Sequence, residues 1–249
     1  MKVVAIHSQK GGVGKTSTAI HLAHQASEYG FETLLIDLDP QASASYFLSG
    51  GESKGLKARD WLRTSVDWND FIEASRYGGV HLLPARKSLR KLDRLMTDEA
   101  SEKHLKRLLR SLKSQYDLVL IDCPPGINTV IEQAYRAAHR ILVPLTPTPL
   151  CFESYQHVLE FAEDNAIAAD KLMPFFNRVN SRLALHQQSM DGFSERFDAA
   201  TPLSIRATTE VEKMALERRA VAEIKPRHPI VRDIQALWKT LMRELDLHH

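Results

Sequence analysis

The sequence predicts an α/β fold, a doubly wound and mostly parallel sheet with helices on both faces. Three observations lead there. Short runs rich in aliphatic and β-branched residues alternate with segments of helical period along most of the chain. The first run leads directly into a glycine-rich loop and then into a helical segment. Two later runs end in aspartate, at the place where an open parallel sheet gathers its chemistry. Parallel strands are covered on both faces, so they read as near-continuous apolar runs rather than alternating ones.

Taken in order, "KVVAIHS" (2–8) is the first strand, and a helix opens near Lys15 after the glycines. "TLLIDLD" (33–39), "VHLLPA" (80–85), "DLVLIDC" (117–123), "RILVPL" (140–145) and "LMPFFNRV" (172–179) are the next five strands. The intervening "SEKHLKRLLRSLKSQ" places Leu105, Leu108, Leu109 and Leu112 at i, i+3, i+4, i+7 spacing, which gives an apolar helix face under a basic one. Residues 49–79, with glycine and charge concentrated at their start, read as a surface loop with short helices. Near the end, "VRDIQALWKTLMRELDL" carries Val231, Ile234, Leu237, Trp238, Leu241 and Leu245 on one stripe, while its polar face mixes Arg232, Lys239 and Arg243 with Asp233, Glu244 and Asp246. A mixed polar face attracts anionic lipid poorly, so this helix is expected to pack on the sheet.

A chain of 249 residues with 43% hydrophobic content can bury one full core, and the expectation is a single domain over 1–249. The formal net charge of +2 and a pI near 8.5 do not by themselves announce nucleic acid, though local basic clusters such as "RKSLRKLDR" (86–94) and "KHLKRLLRSLK" (103–113) leave room for it. The only cysteines are Cys123 and Cys151, and no early apolar stretch resembles a signal peptide or reaches the roughly 18 residues that span a bilayer. A cytosolic protein with free thiols is expected. His248-His249 are either native or the stub of a tag.

The chemistry concentrates in "HSQKGGVGKTSTA". Gly11, Gly12 and Gly14 let successive backbone N–H groups turn inward on phosphate oxygens, and the following helix presents its positive end to the same anion. Lys15 is placed to neutralise β/γ-phosphates, and Thr16 to offer a hydroxyl to Mg²⁺. The standard loop has a further glycine where Gln9 stands, and a second lysine, Lys10, precedes the glycine pair. Asp37 and Asp39, two apart, are expected to point together into the crevice at the strand end, with Asp122 ending a second strand beside them. His21 and His24 could share a metal, but two imidazoles without a third ligand more often pack.

"KGGVGKTS", "LLIDLDPQAS" and "LVLIDCPPG", in this order and spacing, resemble the deviant Walker A P-loop ATPases of the ParA/MinD class, with "DPQAS" on the ParA side. The resemblance covers most of the chain, is strongest over 1–45 and 115–160, and weakens after 180. It implies an ATP·Mg²⁺ site on Lys10, Gly11, Gly12, Val13, Gly14, Lys15, Thr16 and Ser17, with Asn177 against adenine and Thr16, Asp37 and Asp122 around the metal. Lys10 matches the signature lysine that reaches the partner's nucleotide in the ATP-bound homodimer, and Asp39 the aspartate that positions the attacking water. It also implies slow, partner-stimulated ATP hydrolysis and non-specific DNA binding in the ATP state. The stimulating partner would be a ParB-like protein or a cargo adaptor, and the ATP form would associate with the nucleoid. Candidate DNA contacts are Arg182, Arg196, Arg206, Arg218 and Arg219, with Arg178 and Lys213 nearby; for each alone an ordinary solvated face is the competing reading. Cys123 departs from the threonine common after the Walker B aspartate, and Gly126 from a frequent serine.

Rival classes fare worse on residues. An iron–sulfur carrier needs four thiolates per cluster, and Cys123 abuts the strand-end aspartate. A tyrosine kinase would bring a tyrosine-rich tail, whereas the last tyrosine is Tyr155. The remaining alternative is a MinD-like positioning or regulatory ATPase that docks on a membrane or a protein complex without DNA. The chain opens directly on its first strand, so no N-terminal helix-turn-helix extension is expected.

Overall fold

The computed structural model describes residues 1–49, 55, 57–61, 63, 66–95, 104–197 and 202–247. Eight strands among them form one sheet: β1 (Lys2–Ile6), β2 (Thr33–Asp37), β3 (Glu73–Ala74), β4 (Val80–Leu83), β5 (Leu118–Asp122), β6 (Arg140–Leu145), β7 (Leu172–Val179) and β8 (Ser204–Arg206). Their order is β3-β4-β2-β5-β1-β6-β7-β8, parallel throughout except for the β3–β4 pair. β5 and β6, consecutive in sequence, lie on opposite sides of β1. Connections therefore leave in both directions beside β1, and the divergence opens a crevice at its carboxyl end.

The residue period of a strand sorts the core into two layers. Val3, Ala5, Leu34 and Ile36 face α5 (His104–Ser111), α6 (Thr129–Ala137) and α7 (Cys151–Asp164). Val4, Ile6 and Leu35 face α1 (Lys15–Glu28) and the terminal α11 (Pro229–Leu245). The expected stripe on α11 is buried at all six positions from Val231 to Leu245, with Trp238 packed edge-on against Phe31. At roughly 1.5–3 kcal/mol per large buried side chain, this stripe ties α11 to the sheet. No described helix is long and apolar enough to cross a membrane.

All six expected strands are present, each within two residues of its expected end. Residues 49–79 differ from expectation, so far as they are described. Trp61 and Trp68 are buried in the core and meet edge-to-face at 5.7 Å, and β3 adds an antiparallel strand at the sheet edge. Two tryptophans bring more apolar area than a surface loop can leave wet, and they draw the segment inward. Residues 50–54, 56, 62, 64, 65, 96–103, 198–201, 248 and 249, and the side chains of Asp93 and Arg94, lie outside the described residues; the expected basic runs at 86–94 and 103–113 and the terminal histidine pair fall partly or wholly there.

Candidate functional site

Between the end of β1 and the first turn of α1 the chain reverses within eight residues. Gly12 (φ 75°) and Gly14 (φ 94°) adopt the left-handed conformation, which side-chain-bearing residues reach only under strain. The loop is also gripped from the end of β7. Asn177 Nδ2 donates to the Val13 carbonyl (2.8 Å), and the Arg178 guanidinium donates to the Gly12 carbonyl (2.8 Å). A Cβ on Gly14 would stand 2.2 Å from Asn177 Nδ2, whereas one on Gly11 meets nothing within 4 Å. Gly14→Ala is therefore expected to cost about 1–3 kcal/mol and to loosen the loop, while Gly11→Ala stays near neutral. Thermal unfolding of the two variants side by side checks this, and equal melting temperatures would overturn it.

Below the loop lie the ionisable groups. Lys15 is buried, its ammonium donating to the Ser8 (3.4 Å) and Lys10 (3.2 Å) carbonyls. Burial pulls its pKa down, against the opposing attraction of Asp122 and Asp39. Thr16 Oγ1 donates to Asp122 Oδ2 at 2.7 Å, and the β2–β5 register sets Asp37 directly beside Asp122. Asp37 accepts from the Ser45 amide (2.8 Å), the Ser45 hydroxyl (2.6 Å) and the Asp39 amide (3.0 Å). Asp122 Oδ1 is buried and accepts no hydrogen bond among the described residues. Burial holds both carboxyls above the ordinary range, and for Asp122 the neighbouring Asp37 charge adds to it.

The expectation that Asp37 and Asp39 point together into the crevice is corrected. Asp37 ends β2 and turns under α2 (Ser43–Leu48) to reach Ser45, whereas Asp39, half-buried, lines the cleft with Lys15 and Thr16. Its Oδ1 accepts from the Gln41 amide at 2.9 Å, which fixes the turn that follows.

The raised carboxyl pKa values carry a stability sign. A carboxyl protonated more readily when folded stabilises the protein below the ordinary value of 3.8, and that contribution is lost as pH rises through the folded value. At pH 7 the buried Asp122 carboxyl is thus a cost to the folded protein. Asp122→Asn keeps an acceptor for Thr16 and is expected to raise the melting temperature of the ligand-free protein at pH 7, with the gain vanishing at about pH 3.5, below the ordinary carboxyl range. A lower melting temperature at pH 7 would contradict it.

The cleft occupies about 1210 Å³ and is lined by the glycine loop, Lys15, Thr16 and Asp39 together with Tyr46, Lys87, Arg90 and Met214. A second cavity of about 430 Å³ continues from Gly12, Gly14, Ser17 and Asn177 between α1 and α11, where Ile205, Ile234 and Leu237 make its walls apolar. The first holds the glycine loop and Lys15, an anion's partners, the second is walled largely by apolar side chains, and they share the glycine loop. Val13 is buried beneath the loop. Lys87 and Arg90 were legible only as part of a basic run, although a segment following the carboxyl end of β4 belongs at the crevice.

A nucleotide with magnesium fits the residues present. The donor set of Thr16 hydroxyl and two carboxylates is all oxygen, as Mg²⁺ requires, and the orphaned Asp122 Oδ1 beside a second carboxyl is a negative site in want of a cation. No group of three or more His, Cys, Asp or Glu side chains able to hold a metal ion occurs among the described residues. The His21 Nδ1–H is used on the Ser17 carbonyl at 2.7 Å. Both cysteines are buried free thiols.

The candidate DNA arginines are not brought together as one free set. Arg206 is held by both carboxylate oxygens of Asp233 (2.6 and 3.0 Å), Arg219 pairs with Glu223 (3.8 Å), and Arg218 lies over the Tyr46 ring (4.7 Å). Arg196 rests on Phe152 and Phe197. Arg182 is exposed, and Lys10 is exposed with no ion pair to its ammonium among the described residues.

A family model described as an AAA domain matches residues 1–170. An uncharacterized protein of Pseudomonas putida is 36% identical over 147 residues, 58% of this chain and 56% of its own length. The sporulation initiation inhibitor protein Soj of Bacillus subtilis is 34% identical over 147 residues, 58% of either chain. The matched stretch thus spans little more than half the length of these curated relatives. Among solved structures, the ATP complex of a Cyanothece McdA variant superposes with a TM-score of 0.85 over 100% of this chain and 98% of that one, at 20% identity.

Proposed function

Given that this chain belongs to the AAA domain family, among ParA-type partition ATPases of the P-loop class, we propose that it binds ATP with magnesium, dimerises around two nucleotides and hydrolyses ATP slowly as a timing switch. The observation that carries the reading is the convergence of Lys15, the Thr16–Asp122 pair and Asp39 on one cleft under a glycine loop with two left-handed residues.

In this reading the loop amides and Lys15 hold the phosphates, and the apolar cavity beside Asn177 takes the base. Thr16 and Asp122 would hold magnesium, with the Asp37 carboxyl beside Asp122 adding negative charge behind them, and the ion would neutralise charge on the β/γ oxygens. Asp39 orients the attacking water from the cleft wall. Phosphoryl transfer asks little covalent help, so rate follows from positive charge at the γ-phosphate. Lys10, exposed beside the loop, supplies that charge to the partner's nucleotide and ties turnover to dimerisation. The ATP dimer holds non-specific DNA on the nucleoid, and a ParB-like or cargo adaptor protein stimulates hydrolysis and releases it.

Binding to a non-specific duplex with ATP, ADP or no nucleotide, at two salt concentrations, tests the cycle. Binding only with ATP, weakening steeply with salt and lost in Lys10→Ala, is the expected result. Absence of binding in every state would move the protein to a second reading, a positioning ATPase docked on a membrane or protein complex. That reading is favoured by the arginines already engaged at Asp233, Glu223 and Tyr46.

A further inference from the structure

The turn that follows Asp122 carries Pro124 and Pro125 into the cleft wall, close to Lys15, Thr16 and Asp39. Three contacts hold it. The Cys123 amide donates to the Ile6 carbonyl (3.2 Å), the Gly126 amide to the Gln9 carbonyl (3.3 Å), and the side chain of His7 meets the Gly126 carbonyl through Nε2 at 2.8 Å. A carbonyl can only accept, so Nε2 carries the proton and Nδ1 is left as an acceptor. Nδ1 is filled by the Tyr135 hydroxyl at 2.7 Å, with the two rings edge-to-face at 5.4 Å. One neutral tautomer therefore connects α6, the end of β1 and the turn after Asp122. His7 is fully buried, and burial lowers its pKa to about 4, in keeping with that neutral form.

The same tripeptide serves the other half of the site. His7 and Gln9 hold Gly126, while Ser8 between them accepts from Lys15. A shift of the Pro124–Gly126 turn is thus transmitted to the wall that faces Lys15 and Asp39, without touching the loop amides that carry a phosphate. Gly126 is left-handed at φ 86°, a conformation that allows the turn to present its carbonyl back to His7.

We propose that His7 is a positioning residue for ATP turnover: through Gly126 it fixes the wall formed by Pro124 and Pro125 against Lys15 and Asp39, and Tyr135 fixes the tautomer that allows it. The inference rests on the ATPase reading above and adds a residue to it. A histidine that merely filled space would be replaceable by any side chain of its volume, whereas this role requires an N–H at the Nε2 position.

The experiment compares wild type with His7→Ala, His7→Gln and Tyr135→Phe, the glutamine keeping an amide N–H that reaches Gly126. Two readouts are taken: hydrogen exchange of the Gly126–Asn128 amides in the nucleotide-free protein, and kcat and KM for ATP hydrolysis. His7→Ala is expected to speed exchange in that segment and to lower kcat about tenfold, the equivalent of one hydrogen bond of about 1.4 kcal/mol, with KM within about twofold. His7→Gln should recover most of both, and Tyr135→Phe should fall between. Unchanged exchange in His7→Ala would overturn the latch. Faster exchange with unchanged kcat would overturn the positioning role, as would a kcat loss that glutamine does not recover. A wild type that binds no ATP and hydrolyses none would instead defeat the ATPase reading, with the exchange result still deciding the latch.

Discussion

Lys15→Ala is expected to lose at least about 100-fold in ATP affinity, the loss of one or two charge-assisted hydrogen bonds in a desolvated setting. The geometry makes the loss larger than that of a surface lysine. Lys15 is buried, so its charge faces the site with little screening, and it is the cation that attracts Asp122 and Asp39. Its removal leaves the carboxyl pair with less compensation, so a bound phosphate would meet uncompensated negative charge. Lys10→Ala is expected to behave differently. The Lys10 side chain is exposed and only its backbone carbonyl serves the site, as an acceptor for Lys15. Alanine preserves that carbonyl, so ATP affinity should stay within a few-fold while ATP-dependent dimerisation and turnover fall. Equilibrium nucleotide binding paired with sedimentation in ATP separates the two. Equal loss of affinity in both variants would refute the division of labour.

Asp39→Ala and Asp39→Asn are both expected to bind ATP and to slow hydrolysis about 10²–10⁴-fold, the range for loss of a positioned proton acceptor. The pair is informative because Asp39 has a second task. Its Oδ1 accepts from the Gln41 amide, and its carbonyl from the Ala42 amide, so it also shapes the turn into α2. Asparagine keeps that acceptor and removes only the charge. If Asp39→Asn retained wild-type turnover while Asp39→Ala lost it, the residue would be a turn former and the catalytic assignment would be withdrawn. Single-turnover phosphate release reads the difference directly.

Much of this architecture is legible in the sequence, and the parts that are not share a cause. The six long strands declare themselves because burial on both faces demands continuous apolar runs. β3 and β8 have two and three residues, and in β8 only Ile205 is buried, which is too little for any period to register. Gly12, Gly14, Lys15 and Thr16 were legible because their spacing is itself the chemistry. The different surroundings of Asp37 and Asp39 were not, since they depend on Ser45 arriving from α2. Lys87 and Arg90 looked like any exposed basic run, and the link from His7 to Gly126 joins residues 119 apart. Contacts of that kind belong to the topology, and neighbouring letters carry no trace of them.

The brevity of the two edge strands has a colloidal consequence. An open sheet with a long flat margin offers unpaired N–H and C=O groups to any other sheet, and such margins seed fibrils and precipitates. Here one margin ends in Glu73–Ala74 running against the grain of the sheet, and the other in Ser204–Arg206, bordered by the charged Arg206–Asp233 pair. Neither offers enough continuous backbone for a foreign strand to zip onto. The sheet edges therefore contribute little to clumping when the protein is concentrated.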